Sequence, residues 1–340
     1  QPYSGSPANQ AVFFALLNLN DVFMGFDLNA GGHLTHGSPV NFSGKFYKCV
    51  PYNVDKKTEL LDYDVIMHQA KESKPKMILS GLTAYPRKID FKAFREICDE
   101  VGAYHFADIA HIAGLCAAGV HQNPVPYCDV VTTTTHKTLR GPRGAMIMCK
   151  IEDRIDKEGK KTLAQKIDSA VFPGLQGGPH DHVNAAKAVA FKEALQPDYK
   201  EYCKQIVKNA KALADSLMDN GLELVTNGTD NHLMVIKLVN KGLIGKGKEV
   251  QNALGEAEIY VNKNTIPYEP GSPFNPSGIR LGTPAITTRG MKESEMKVIG
   301  ECIAKVIDNY EDKSVIEKAK KDILELCREF PLYPGMEILR

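Results

Sequence analysis

The sequence has no excess of charge of either sign. Its 42 Lys and Arg residues balance 41 Asp and Glu residues over 340 positions, which leaves a formal net charge of +1 at pH 7. Nucleic-acid-binding domains usually carry a basic excess, so this balance argues against nucleic acid or an anionic membrane as a main ligand. It does not exclude a local basic pocket for a small anion. A single domain typically has about 100–200 residues, so two domains are expected at this length.

The sequence also lacks paired cysteines and long apolar runs. None of its eight cysteines forms a Cys-x-x-Cys pair, which argues against a zinc site or a disulfide framework and fits a reducing, cytoplasmic compartment. No apolar run approaches the roughly 20 residues of a membrane span, so we expect neither a span nor a secretory signal. The first residue is Gln1, and turn and cap residues follow it. We therefore expect that the true N-terminus of the protein is missing from this chain.

Short β-type runs alternate with helical patterns in the first half of the chain. Four runs are predicted strands: residues 76–81, 103–107, 128–134 and 144–149. Residues 91–101 carry apolar side chains three and four positions apart, as on one helix face. This order is typical of βαβ units and a parallel sheet. Residues 80–83 and 108–111 should then lie together at the carboxyl edge of the sheet, where open α/β folds bind ligands.

The pattern changes after about residue 184. Residues 184–219 are predicted as one long helical stretch that leads into a second domain. Beyond it, strands are predicted at 222–225, 233–238 and 279–281, helices at 248–255 and from 291 onward, and a loop at 265–278. Segregated strands and helices favour a smaller α+β domain. We therefore predict a large domain over residues 1–190 and a small one over residues 191–340.

Four threonines, Thr132 to Thr135, are followed directly by His136 and Lys137. β-branched residues favour a strand, but this run delivers polar groups where a buried strand should end. Lysine is costly inside a cleft unless its amine is used. Schiff-base chemistry needs a lysine whose pKa is lowered, and burial beside cationic neighbours lowers it. A solvated lysine after an edge strand is the alternative.

Two further segments could contact a phosphorylated aromatic cofactor. The segment from Ser4 to Asn9 precedes an apolar helical run; Ser6 suits the N-cap and Pro7 the first helical position. Its N–H groups, hydroxyls and positive helix end could bind a phosphate, or it is an ordinary capped helix. Asp108 ends a predicted strand, with His111 three residues on, and a carboxylate there could hold a protonated pyridine nitrogen. A metal-ligand pair and a plain helix cap are the alternatives, and a cap is the commoner use of an Asp at such a position.

Three weaker features complete the set. His33 and His36 lie three residues apart in a glycine-rich loop. The two could form a metal pair, an imidazole could stack on a cofactor, or the histidines could simply belong to a structural loop. No third metal ligand presents itself nearby, so no metal is predicted. Arg280 lies among small residues. It could bind a substrate carboxylate through two parallel hydrogen bonds, or it could form a structural ion pair. The N–H groups of the turn at residues 176–179 could approach a phosphate.

In their order along the chain, these segments closely resemble the serine hydroxymethyltransferase family, most of all its bacterial-type branch. The matching segments are residues 4–9, 31–37, 108–111, 132–137, 176–179, 262–264 and 278–284. The likeness runs from Gln1 to about Pro334. It implies the aspartate-aminotransferase-like fold, pyridoxal-phosphate fold type I, in which a mixed, mostly parallel sheet forms the large domain and a smaller α+β domain follows.

The resemblance also implies roles for individual residues. Lys137 would form the internal aldimine with pyridoxal 5′-phosphate, Asp108 would pair with its pyridine nitrogen, and His33 would stack on its ring. Thr134 would line the reaction centre. The other implied cofactor contacts are Ser4, Gly5, Ser6 and His136 around the phosphate, Thr83 and His111 on the ring-oxygen side, and Gly177 and Gly178, with Gly178 reaching in from a partner subunit. The implied substrate contacts are Arg280 and His111 for the amino acid, Leu28, Leu34 and Asn264 for folate, and Arg143 in support.

The activity implied by the resemblance is reversible conversion of L-serine and tetrahydrofolate to glycine and 5,10-methylenetetrahydrofolate. It would take place in a cytoplasmic homodimer whose active sites are shared across the interface, with no nucleic acid or membrane partner. Family members carry a preceding segment whose tyrosines and glutamate serve proton transfer and folate binding. We expect this segment to exist in the molecule; the alternative is an impaired polypeptide. The rival hypotheses are another fold type I enzyme, such as a threonine aldolase or an aminotransferase, and a non-catalytic or RNA-binding relative. The match at residues 262–264 argues against the former, and the presence of Lys137, Asp108 and Arg280 against the latter.

Overall fold

Six strands form the sheet of the first part of the chain. They are β1 (Val22–Phe26), β2 (Lys48–Tyr52), β3 (Met77–Gly81), β4 (Tyr104–Asp108), β5 (Val130–Thr134) and β6 (Ala145–Cys149). Their order across the sheet is β2-β1-β3-β4-β5-β6. Neighbouring strands run parallel except β5 and β6, which pair antiparallel. The structure thus has the mixed, mostly parallel α/β sheet that the sequence predicts, and all four predicted strands of this half are present.

The central strands are buried on both faces. Every residue of β3, β4 and β5 is buried. Two-sided burial follows from crossover helices that cover both faces of a parallel sheet. The helices described in this unit before α8 are α1 (Gly5–Leu16), α2 (Phe42–Phe46), α3 (Tyr63–Ser73), α4 (Phe91–Val101), α5 (Ala113–Ala117), α6 (Leu163–Ser169) and α7 (Asp181–Ala194).

Helix α4 shows how local sequence sets an element. The side chain of Asp90 accepts the backbone N–H groups of Lys92 and Ala93, which begins the helix. Gly102 ends it with φ +69°, a left-handed conformation that glycine adopts without strain. Its apolar face, which includes Phe94, is buried as the three-and-four spacing predicts. The predicted helix at residues 91–101 is therefore confirmed at both ends.

Two predictions about helix ends are wrong. The N-cap of α1 is Ser4 rather than Ser6, so Ser6 and Pro7 lie inside the first turn. The predicted helical stretch at residues 184–219 is two helices, since α7 ends at Ala194 and α8 spans Pro197–Asp219. Proline has no N–H to continue a helix and disfavours helical conformation in the residue before it, which places the break there.

The chain divides into two compact units, residues 1–83 with 88–200 and residues 84–87 with those from 201 onward. The second unit has an antiparallel sheet in the order β7-β8-β10-β9. Its strands are β7 (Glu223–Leu224), β8 (Leu233–Lys237), β9 (Asn262–Asn264) and β10 (Gly278–Gly282). Its helices are most of α8, then α9 (Gly247–Glu256), α10 (Pro284–Thr288), α11 (Glu293–Asp308) and α12 (Lys313–Glu329). A domain boundary after residue 190 stays a prediction.

The computed structural model describes residues 1–333 and Gly335. Pro334, where the predicted family likeness ends, and residues 336–340, which the predicted C-terminal helical pattern includes, lie outside them. Within the described part that pattern is two helices, α11 and α12, and Asp312 caps the second by accepting the N–H groups of Ser314 and Val315. No helix among the described residues is long and apolar enough to cross a bilayer.

Phe13 and Phe14 give a test of packing in the first unit. Phe13 is fully buried on α1, with its ring centroid 4.8 Å from that of Phe23, whereas Phe14 is 56% exposed. We expect Phe13→Ala to lower the free energy of unfolding by about 3–5 kcal/mol, because a buried aromatic ring is replaced by a cavity. The control Phe14→Ala should cost about 1 kcal/mol or less. Urea unfolding of both variants measures this; equal losses would contradict the packing described.

Candidate active site

A polar cavity of about 300 Å³ opens in the first unit. It is lined by Ser4, Gly5, Ser6, His33, Leu82, Thr83, Asp108, Ala110, His111, Thr134, His136, Lys137 and Arg143. Strands β3, β4 and β5 are parallel neighbours, and Gly81 pairs with Asp108 in register, so the carboxyl ends of these strands meet at one edge. The segments after these strands therefore converge on the cavity, as predicted for residues 80–83 and 108–111.

The carboxylate of Asp108 is the buried anion of this cavity. Its Oδ2 accepts hydrogen bonds from Asn9 Nδ2 at 2.8 Å and from His36 Nε2 at 3.2 Å, and its Oδ1 accepts the N–H of Ala110 at 3.0 Å. Burial alone would raise the pKa of Asp108, but the hydrogen bonds from His36 and Asn9 and the nearby imidazoles hold that pKa well below its ordinary range. Asp108 is therefore held as a carboxylate that can accept a further hydrogen bond.

Two imidazoles stand beside this carboxylate. His36 Nδ1 accepts the backbone N–H of His33 at 3.2 Å. The proton of neutral His36 is therefore on Nε2, where it is donated to Asp108. One ligand atom from each of His33, His36 and Asp108 lies within 4.8 Å of the other two, so the third candidate metal ligand, which the sequence did not reveal, is Asp108. An ion there would have to displace the bond between His36 and Asp108.

Lys137 and Arg143 bring positive charge to the cavity, and His136 lies beside them. The pKa of His136 is lowered by burial and by the positive charges of Arg143 and Lys137. Its Nδ1 is buried and has no hydrogen-bond partner among the described residues. Because buried polar atoms are usually paired, a bound ligand could supply the partner. Helix α1 begins at Gly5 and has no acidic residue in its first turn. The positive end of the helix and these side chains together favour an anion.

Some predicted contacts lie elsewhere. Gly177 and Gly178 line another cavity, of about 440 Å³, together with Gln1 and Pro2. Leu28 and Leu34 are not among the described residues that line the polar cavity, and Leu34 is 47% exposed.

Arg280 and Asn264 belong to the second unit. They lie on the neighbouring strands β10 and β9, where Arg280 pairs in register with Asn262. Arg280 donates to Asn262 Oδ1 at 3.4 Å, and burial lowers the pKa of its guanidinium. Half-burial of a guanidinium beside an amide leaves it suited to a planar anion such as a carboxylate.

The family model described as serine hydroxymethyltransferase matches residues 1–303. The chain belongs to the serine hydroxymethyltransferase family. Curated serine hydroxymethyltransferases of Legionella pneumophila (strain Lens) and Methanosarcina barkeri (strain Fusaro / DSM 804) are 55% and 56% identical to it over 333 residues. That alignment covers 98% of this chain and 78% of each relative. Members of this family are transferases of pyridoxal-phosphate fold type I, so the predicted family and fold class are both confirmed.

Sequence reasoning missed the residues that support Asp108. Asn9, Thr35 and His36 fall within the segments that resemble serine hydroxymethyltransferase. From the sequence, His36 was considered only beside His33, as one half of a candidate metal pair, and no role was predicted for Asn9 or Thr35. Asn9 is 1% exposed among the apolar residues of α1. An amide that lies next to Ala8 and is followed by the apolar Ala11, Val12 and Phe13 is the available signal, because a buried amide needs partners.

Gly81 lets strand β3 approach the site closely, which gives a second test. A Cβ at this position would lie 2.7 Å from the carbonyl oxygen and 2.8 Å from the Cβ of Asp108. We expect Gly81→Ala to displace Asp108 and to lower the free energy of unfolding by about 1–3 kcal/mol, as overpacking does. Gly255→Ala is the control, since nothing lies within 4 Å of a Cβ there. Equal urea midpoints for the two variants would show that the contact at Asp108 is not limiting.

Proposed function

We propose that this chain catalyses the reversible transfer of the hydroxymethyl group of L-serine to tetrahydrofolate, with pyridoxal 5′-phosphate as its cofactor. The observation that carries the proposal is one cavity lined by both Lys137 and a hydrogen-bonded Asp108 carboxylate in a member of this family. Lysine provides the amine that binds an aldehyde covalently, and a buried carboxylate favours a protonated pyridine ring. The products are glycine and 5,10-methylenetetrahydrofolate.

The residues present fit the proposed cofactor. A phosphate needs N–H donors and positive charge, which the start of α1, Ser4, Ser6, His136 and Arg143 provide at the cavity. His136 Nδ1 has no hydrogen-bond partner among the described residues, which supports a phosphate bound next to it. The phosphate contacts are proposed as Ser4, Gly5, Ser6 and His136, and the contacts on the ring-oxygen side as Thr83 and His111.

Each group has a distinct part in the proposed reaction. When bound, pyridoxal 5′-phosphate withdraws electrons from the amino acid so that the bond between Cα and Cβ can break. Lys137 would hold the cofactor through its Nζ amine, the kind of group that binds an aldehyde. Asp108 would hold the ring nitrogen and favour its protonated form. His33 would stack on the ring, and Thr134 would line the reaction centre.

The substrates are proposed to be held by other residues. Arg280 binds the serine carboxylate through paired hydrogen bonds, and so fixes which bond of the amino acid is broken. His111 contacts the same substrate, and Arg143 supports the site. Leu28, Leu34 and Asn264 are the proposed folate contacts.

The proposal extends to the assembly. The chain acts as a cytoplasmic homodimer, in which Gly177 and Gly178 bind the cofactor of the partner subunit. Their position on a cavity other than the one lined by Lys137 is compatible with a contact made across an interface.

Covalent attachment tests the role of Lys137. With pyridoxal 5′-phosphate and borohydride, we expect the wild-type chain to gain the mass of one reduced cofactor, on the peptide that contains Lys137. Lys137→Ala should lose both this adduct and serine turnover, with an unchanged melting temperature. Lys150→Ala, which removes an exposed lysine at the end of β6, is the control and should behave as wild type. Normal turnover by Lys137→Ala would refute the proposed role.

Dependence on folate tests the reaction. We expect the visible spectrum of the cofactor-loaded protein to develop a strong long-wavelength band only when glycine and tetrahydrofolate are both present. The reason is that the reaction requires both ligands in one site. A spectrum that responds to glycine but ignores tetrahydrofolate would favour an aldolase. Absence of any lysine-bound cofactor band would contradict the proposed cofactor itself.

A further inference from the structure

A buried amide joins the two residues proposed to contact the cofactor ring. Asn9 Nδ2 donates to Asp108 Oδ2 and to Thr35 Oγ1, both at 2.8 Å. Its Oδ1 accepts the hydroxyl of Thr132 at 2.7 Å. Asn9, Thr35 and Thr132 are all at most 1% exposed. The three bonds link helix α1, the segment after β1 and strand β5 at one point.

The direction of each bond follows from the carboxylate. An ionised carboxylate only accepts hydrogen bonds, so the NH₂ group of Asn9 must face Asp108. The carbonyl oxygen of Asn9 must then face Thr132, whose hydroxyl donates. Both protons of Asn9 Nδ2 are used, one on Asp108 and one on Thr35. The amide has no alternative orientation that keeps all three bonds.

The same logic continues to His33. Thr35 Oγ1 accepts from Asn9, so its own proton is available to His33 Nδ1, which lies 2.8 Å away. His33 Nδ1 also accepts the backbone N–H of Thr35 at 3.2 Å. Two donors on Nδ1 favour the neutral ring with its proton on Nε2. Protonation of Nδ1 would place two N–H groups against each other.

We propose that Asn9 is a positioning residue that fixes the carboxylate of Asp108 directly and the ring of His33 through Thr35. The two residues proposed to hold the cofactor ring, one at its nitrogen and one on its face, are thereby oriented by a single amide. The inference rests on the proposed function for the meaning of that orientation. The hydrogen-bond chain itself needs no cofactor.

A Thr35 variant separates the two branches. Thr35→Val removes the hydroxyl on His33 and leaves the bond from Asn9 to Asp108, whereas Thr35→Ser keeps the hydroxyl. Loss of the hydroxyl removes one of the two donors to His33 Nδ1 and leaves the ring less firmly oriented.

The first measurement is the ¹⁵N chemical shift of His33 Nδ1 at one fixed pH in the cofactor-free chain, by NMR with ¹⁵N-labelled histidine. The resonance is assigned by its loss in His33→Gln. The shift of a ring nitrogen depends on the hydrogen bonds it accepts, so we expect Thr35→Val to move it and Thr35→Ser to match wild type. Asn9→Leu should move it as well, because the Thr35 hydroxyl then loses the donor that orients it.

The second measurement is the dissociation constant of pyridoxal 5′-phosphate. We expect Asn9→Leu to weaken binding roughly 10- to 100-fold, as loss of a hydrogen bond to a charged group does. Thr132→Val, which removes the bond that orients the amide, should weaken it in the same direction but less. Asn209→Leu is the matched control: Asn209 is 0% exposed in the second unit and donates to Thr287 Oγ1 and to the Met291 carbonyl, both at 2.9 Å. Its affinity for the cofactor should stay within about twofold of wild type.

The outcomes separate the possibilities. Equal His33 Nδ1 chemical shifts in wild type, Thr35→Val and Asn9→Leu would overturn the branch to His33. Unchanged cofactor affinity in Asn9→Leu and Thr132→Val, or an equal loss in Asn209→Leu, would overturn the branch to Asp108. If Asn9→Leu fails to fold, the Thr35 pair and Thr132→Val still decide both branches. Failure of the proposed function would show instead as an absent lysine adduct, with the His33 Nδ1 shifts of the variants still as expected.

Discussion

The buried carboxylate of Asp108 is the constraint on which the site depends. A buried ionised group is tolerated only when donors replace the water it has lost. Here the donors come from helix α1, from the segment after β1 and from the residues after β4. No single segment can satisfy the carboxylate, so its charge is stable only once these parts of the first unit have assembled. Fold and site in this unit are therefore formed together.

The parallel sheet explains why these particular segments meet. Strands β3, β4 and β5 end at the same edge, and each contributes polar or small residues at or just after its last position. Gly81 allows β3 to approach Asp108 without a side chain between them. Thr132, which would be ordinary strand material elsewhere, turns its hydroxyl to Asn9. The threonine run thus serves both strand formation and the hydrogen-bond network.

Much of this arrangement could be predicted from local patterns. The alternation of strands and helices placed residues 80–83 and 108–111 at one edge, and the threonine run placed Lys137 just beyond a strand end. The bond between Asn9 and Asp108 could not be predicted, because it joins residues 99 positions apart and depends on which face of α1 packs inward. The break before Pro197 was available in the sequence, because proline disfavours a helical conformation in the residue before it, but residues 184–219 were predicted as one helical stretch. The N-cap at Ser4 was missed because Ser6-Pro7 is the better local signal.

The local charge around the cavity differs from the net charge of the whole chain. A net charge of +1 gives no long-range attraction for an anion, yet Lys137, Arg143 and the start of α1 lie around one cavity with a single carboxylate. That carboxylate is already bonded to His36 and Asn9 through Oδ2 and to a backbone N–H through Oδ1. A carboxylate oxygen has two acceptor positions, so the one left over is on Oδ1. The network therefore not only keeps Asp108 ionised but also leaves Oδ1 as the oxygen that can accept one further hydrogen bond, while the cations remain available for an anion.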